Sequence, residues 1–476
     1  MVMSFVTRLL EKYRSFSAPV KASFWALFCS VFQSGISLVT TPIFTRTLSQ
    51  DEFGIYSQYS SWLAILSILV TLNLPSETYI KGLTDHEKDE YPFTSSMLGL
   101  NTLIFTIFLI LFLVAPSFWA KLFNLTPLLT ALMFVHLFVS NPFDYWKGNE
   151  RYHFRYKLAT LLSVLVTVFS YALSIYAVLH FQDRLNLRIE ADLLVRCIIG
   201  LPLVFFIFLK GRRFYDKDTW NYALTFSFPL IPHYLSNIVL NQSDRIMIGK
   251  MVNNIAAAKY SVAYMIASMV LMIVTAVNSS FVPFTFQKLK DNDAGSVKDS
   301  SRILFLGIAL LCLAAMALAP EVISVFAGKH YAEAAGIVPA VSASVFFIFV
   351  YTLFSNVEYH YKKTKWIGIA TLLAAGLNVL LNWILIPVFG YMVAGTTTLI
   401  SYIFLSITHY ISYRTILKQE QAEDIYDIPF VLELSLALVF ITAVINRIYN
   451  LAFLRYLIVL ISLALAGYVF LKSKHH

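Results

Sequence analysis

The chain has 476 residues, of which 58% are hydrophobic and only 13% charged, with a formal net charge of +9 and a mean hydropathy of +0.70. A soluble domain carries roughly a quarter charged residues, so this composition excludes an aqueous globular protein and makes a bilayer the solvent. The recurring apolar segments have the length of about 20 residues that spans hydrocarbon as a helix, whereas barrel strands would alternate over about 10.

In chain order, a mixed basic stretch up to Lys21 does not read as a cleavable leader. Fourteen spans follow, at 21–43, 55–79, 93–115, 119–140, 157–179, 190–209, 220–249, 255–283, 302–320, 334–360, 366–386, 391–413, 429–446 and 453–471. The fold class is an all-α polytopic membrane protein. The seventh span is interrupted by Pro229 and Pro232, which mark a kink. Cys29, Cys197 and Cys312 lie in apolar segments without CxxC spacing, which points to packing rather than to disulfide or zinc chemistry. No loop is long enough to carry a catalytic domain. The acidic linker with Glu420, Glu423, Asp424 and Asp427 sets a final helix pair, 416–476, apart from two six-helix parts, 1–213 and 214–415.

With the N-terminus in the cytoplasm, 25 of the 36 lysines and arginines fall on the inner side and 9 on the outer. The positive-inside bias therefore predicts both termini inside and explains the net charge without a nucleic-acid partner.

Two matches reveal an internal repeat. Phe44–Leu63 aligns with Gln242–Ala267 at an offset of 204, with Arg46 on Lys250 and Tyr56-Ser57 on Tyr260-Ser261. Further on, NERYHFRYK from Asn149 aligns with NVEYHYKKT from Asn356 at an offset of 207. Each repeat holds an even number of spans, so the halves share one orientation, as in transporters built from parallel repeats.

The seventh helix carries His233, Asn237, Asn241 and Asp244 on one face, and the first carries Gln33, Ser37 and Thr40 with the same spacing. Gln33 lies roughly 18 Å past Lys21, near mid-bilayer, where a lipid-facing amide costs several kcal/mol. These stripes either line a cavity or hydrogen-bond between helices. Charge clusters beside them: Arg46, Asp244, Arg245 and Lys250 at outer helix ends, Lys259 in the eighth helix and Arg196 in the sixth. Such charges mark a substrate pathway or anchor helix ends. At the inner ends Glu77, Asp144 and Glu358 are candidates for a gate.

The segments TR-L-S-x-x-x-F-G-x-Y at Thr45–Tyr56 and SDR-x-x-I-G with K-Y-S-V-A-Y at Ser243–Tyr264 resemble the bacterial polysaccharide flippases of the Wzx type, in the multidrug/oligosaccharidyl-lipid/polysaccharide exporter superfamily. That resemblance implies a MATE-like two-lobed transporter in the bacterial inner membrane, moving an undecaprenyl-diphosphate-linked oligosaccharide such as an O-antigen unit to the periplasmic leaflet. It is not expected to be an enzyme or to hold a cofactor, although a coupling ion, H+ or Na+, would be exchanged. Arg46, Asp244 and Arg245 take the motif positions. Arg46, Arg245, Lys250, Lys259 and Arg196 become candidates for the anionic headgroup, with Asp244 pairing a cation or carrying a proton. Its surroundings would be membrane lipid, and the resemblance suggests a polysaccharide polymerase and a chain-length regulator as partners. A lipid II flippase or drug exporter of the same superfamily, and more remotely a glycan polymerase or ligase, are the competing readings.

Overall fold

A computed structural model of the chain describes residues 17–473, and all their regular structure is helical. The terminal basic residues Arg8, Lys12, Arg14 and Lys474, on which part of the orientation rests, lie outside the described residues. Among the described residues eleven helices are long and apolar enough to cross a membrane, and one bent pair makes twelve. Two more helices, Val393–Glu420, which is long but rich in Thr, Ser and Tyr, and Ala452–Ser473, bring the architecture to the expected fourteen.

The chain forms two compact units, Met1–Thr47 with Leu63–Ile231 and Leu48–Trp62 with Pro232–His476. The first holds α1 (Ala18–Thr47), the end of α2 (Gln50–Thr71), α3 (Glu77–Asp85), α4 (Glu90–Val114), α5 (Pro116–Phe123), α6 (Pro127–Tyr152), α7 (Tyr156–His180), α8 (Arg184–Gly211) and α9 (Lys217–Ser227). Within it α8 packs on α4, α6 and α7, and α1 packs on α7.

Two expected boundaries move. The second span stops at Thr71, because Leu72 and Asn73 turn left-handed (φ 49° and 51°), so Glu77 opens the separate helix α3. The fourth begins later, because Asn124 ends α5 in the left-handed region and Pro127 starts α6 under the Thr126 cap, a turn of 89°. Where α3 meets α4 and α6, Tyr79, Phe93 and Tyr145 form a sealed aromatic core. Tyr79 lies edge-on to Tyr145 at 4.9 Å, and its hydroxyl meets that of Thr94 at 2.7 Å.

The second unit holds the start of α2 with α10 (Ile231–Met251), α11 (Asn254–Lys290), α12 (Ala294–Ala317), α13 (Ala319–Phe326), α14 (Val338–His360), α15 (Lys365–Phe389), α16 (Val393–Glu420), α17 (Ile428–Ile445) and α18 (Ala452–Ser473). Its axis is α14, whose apolar window is 89% buried among α11, α12, α16 and α17. A 3-10 turn at Phe228–Leu230, between Pro229 and Pro232, separates α9 from α10, as the proline pair predicts. The last helix is clamped by Arg455, which donates to Glu321 of α13 at 2.7 and 2.8 Å and to the carbonyl of Ala317 at 2.7 Å.

The first repeat match is structural. Ser49 and Glu52 cap α2 reciprocally, and Asn253, 204 residues later, accepts the Ala256 amide of α11 at 2.8 Å. The equivalent hydroxyls of Ser57 and Ser261 hydrogen-bond to each other. Both motif glycines are close-contact positions in the second unit. A Cβ on Gly54 would sit 1.9 Å from the Asn254 carbonyl oxygen, and one on Gly249 would sit 2.1 Å from the Gln58 amide carbon. The second match is out of step by one residue. Helices α6 and α14 end through left-handed Phe154 and Lys362, with Arg155 N–H on the Glu150 carbonyl and Lys363 N–H on the Glu358 carbonyl, an offset of 208.

Candidate functional site

In the first unit α2, α3 and α6 enclose a pocket of about 770 Å³ lined by Ser67, Thr71, Asn73, Glu77, Lys81, Asp144, Lys147 and Arg151. It is built because α2 ends early: the turn at Leu72 and Asn73 carries Glu77 and Lys81 on α3 across from the last turns of α6. Glu77 and Asp144, both expected at an inner gate, thus line one cavity. Lys147 pairs with Asp144 at 2.7 Å one turn back, and Lys81 pairs with Asp85 at 2.6 Å. Arg151 is exposed and makes no ion pair among the described residues.

Asp144 and Lys147 also line a smaller polar cavity of about 120 Å³, reached along α6, with Gln33, Ser140, Ser163, Thr167 and Arg196. Gln33 donates to the Thr167 hydroxyl at 2.9 Å, so its amide is held against α7. Arg196 donates to Asp192 at 2.9 Å, and His136 lies 3.7 Å from the same carboxylate. The Asp144–Lys147 pair therefore borders both cavities. Ser37 and Thr40 sit further along α1, with the Thr40 hydroxyl bonded to the Ile36 carbonyl at 2.9 Å, and Arg46 is exposed in its last turn.

In the second unit Asp244 is fully buried. Its carboxylate accepts from the Tyr260 hydroxyl of α11, from Thr398 of α16 at 2.7 Å and from the Asn382 amide of α15 at 2.5 Å. Around it Thr397 donates to the Asn382 oxygen, and Ser243 donates to Asn378 at 3.0 Å. Four helices thereby converge on one carboxylate, and each of its oxygens accepts. Arg245 turns away from this centre. It donates to Gln242 at 2.8 Å and to the Asn241 carbonyl at 2.9 Å, and lies 4.5 Å over the Tyr264 ring.

The stripe of α10 is held by hydroxyls. The Asn241 oxygen accepts from Tyr264 and Tyr402, each at 3.0 Å, while its amide donates to Asn237. His233 is half-buried next to Tyr234, and Lys250 is exposed at the helix end. Lys259 pairs with Glu333 at 2.6 Å, and this contact holds the Glu333 carboxyl below the usual carboxylate range. Glu358 of the second unit is sealed in the interior and meets His409 of α16 at 3.0 Å.

Sequence reasoning missed Lys81, Lys147 and Arg151, because basic residues at inner helix ends read as topological charge. It also missed Asn378, Asn382, Thr397 and Thr398, although two amides one turn apart in an apolar helix are a readable signal. What the arrangement offers is a cation-bearing wet recess in one unit and a saturated carboxylate centre in the other.

Comparison with known proteins places the chain. The family model described as "Polysaccharide biosynthesis protein" matches residues 20–290, more than half of the chain, and a MatE model matches residues 229–384. A Haemophilus influenzae protein described as an uncharacterized membrane protein is 23% identical over 71% of this chain and 83% of its own length. Among solved structures, a lipid II flippase MurJ in an inward closed conformation superposes with a TM-score of 0.72 at 13% identity, covering 96% of this chain and all of its own. An inward-facing multidrug resistance MATE transporter superposes with a TM-score of 0.61 at 12% identity, covering 81% and 95%. The chain belongs to the polysaccharide biosynthesis protein family, and its fold is the one seen in the MurJ and MATE structures.

Proposed function

We propose that this flippase-family protein moves an undecaprenyl-diphosphate-linked oligosaccharide, an O-antigen or other surface-glycan unit, from the cytoplasmic to the periplasmic leaflet of the bacterial inner membrane by alternating access. The observation that carries the reading is two neighbouring cavities in the first unit with Asp144 and Lys147 in both walls, the larger also bearing Lys81 and Arg151 and the smaller Arg196. A diphosphate with a hydrophilic glycan cannot cross hydrocarbon unaided, and arginine and lysine supply the charge-assisted donors that phosphate oxygens take. Arg46, Arg245 and Lys250 serve the headgroup further along its path. Gln33, Ser37, Thr40, Asn237 and Asn241 are its polar lining, and Glu77 with Asp144 gates the inner end. Both termini are cytoplasmic in this reading, and a polysaccharide polymerase and chain-length regulator receive the product.

The coupling ion, H+ or Na+, acts at Asp244. Support comes from the full burial of that carboxylate among four membrane helices, where a charge is expensive unless a proton or cation neutralises it. In a deletion strain, complete repeat units should accumulate on the inner leaflet. Appearance of single exported units instead would identify a polymerase. Accumulation of lipid II would identify a lipid II flippase, the reading favoured by the MurJ-like fold.

A further inference from the structure

Another pocket of the first unit, about 370 Å³, lies where α4 begins and α6 and α8 end, and shares no residue with the two cavities described above. Its walls differ in chemistry. Leu158 and Phe206 make an apolar side that continues into the exposed apolar faces of α7 and α8, where Leu161 and Leu209 are more than half exposed. Lys210, Arg155 and Tyr91 make a polar rim.

The Lys210 ammonium stands 4.6 Å over the Tyr91 ring and 4.9 Å over that of Phe206, and makes no ion pair among the described residues. Arg155 spends its Nε and Nη2 on buried Glu150, at 2.8 and 2.9 Å, while the guanidinium stays half exposed and its Nη1 takes no protein acceptor among the described residues. With Arg155 and Glu150 cancelling, the rim keeps one positive charge.

We propose that this pocket binds an anionic phospholipid of the surrounding leaflet, its phosphate between Lys210 and Arg155 Nη1 and one acyl chain along Leu158 and Phe206. Charge complementarity and the continuous apolar wall commit the site to that occupant. Basic pockets between membrane helices, level with the headgroups, take phospholipids in this way. The NERYHFRYK motif is accounted for by the same site. Asn149 and His153 tie α6 to Glu90 of α4, and Glu150 fixes the Arg155 fork that faces the phosphate.

The test is native mass spectrometry of the full chain, released from phosphatidylcholine nanodiscs doped with phosphatidylglycerol. The intact protein should retain one phosphatidylglycerol. Lys210→Gln, at an exposed position, should lower that retention at least fivefold with an unchanged melting temperature, and Leu158→Trp, which fills the apolar side, should lower it similarly. Equal retention of phosphatidylcholine, or full retention of phosphatidylglycerol by both variants, would overturn the proposal. So would displacement of phosphatidylglycerol by an equal amount of undecaprenyl phosphate, which would give the pocket to the carrier lipid instead.

Discussion

Asp144 and Asp244 are both aspartates on membrane helices, yet their surroundings are opposite. Asp144 is half exposed, pairs with a lysine on its own helix and borders two cavities. Asp244 is fully buried and satisfied by three other helices. The difference teaches that a carboxylate on a polar stripe can either organise a fold or leave its partner available to a ligand, and that the number of converging donors decides which. The first arrangement can exchange partners locally; on the proposed reading the second admits a coupling ion only as its four helices part.

The contrast breaks most severely if Asp244 is removed. Asp244→Ala leaves Asn382, Thr398 and Tyr260 buried without their acceptor and should cost about 3–5 kcal/mol, read as a large fall in melting temperature in detergent. Asp244→Asn should keep most of the fold while abolishing any dependence of transport on the coupling ion. Next in size, Gly54→Ala forces a Cβ to within 1.9 Å of the Asn254 oxygen and should cost about 1–3 kcal/mol, whereas Gly35→Ala, with nothing within 4 Å, should be neutral or slightly stabilising.

At the open site the balance reverses. Lys147→Ala and Arg151→Ala should each leave stability within about 0.5 kcal/mol. Glycan export should nevertheless fall about tenfold at equal protein level, the loss of one charge-assisted phosphate contact. Export unchanged by both would remove the pocket from the pathway.

The smallest effect is a pH effect outside both sites. Arg455 hydrogen bonds hold the Glu321 carboxyl at about 2, below its ordinary value. Stability from this clamp is therefore fully present above the unfolded-state pKa of about 4.3 and is lost as pH falls from there towards 2. Because Glu321 is a third exposed, the contribution is about 1 kcal/mol or less. Melting curves should drop between pH 6 and pH 3 by that small increment, and Glu321→Gln should lack it.

Much of this was legible in the chain, for reasons of periodicity and solvent. Apolar length located the helices, and the break at Pro229 and Pro232 followed from proline's missing donor. The early stop of α2 was hidden, because Leu72 and Asn73 carry no glycine signal for their left-handed turn. The stripe of α10 was readable as a face, but a stripe does not say what stands opposite. Hydroxyls and amides of α11, α15 and α16 meet Asp244, while Arg245, its neighbour in sequence, packs on Tyr264. Nothing in the sequence said what the motif glycines do: their work is contact between α2, α10 and α11.

The Asp144–Lys147 pair, which lines both cavities, has an electrical consequence. Such a pair behaves like a site on an ion-exchange resin: at rest the fixed ammonium is neutralised by a tethered counter-ion. On the proposed reading, an arriving diphosphate competes with Asp144 for Lys147 and frees a carboxylate beside its path. The passage is then close to neutral when empty and becomes self-repelling once loaded. That sequence favours onward movement of the anion over its retention.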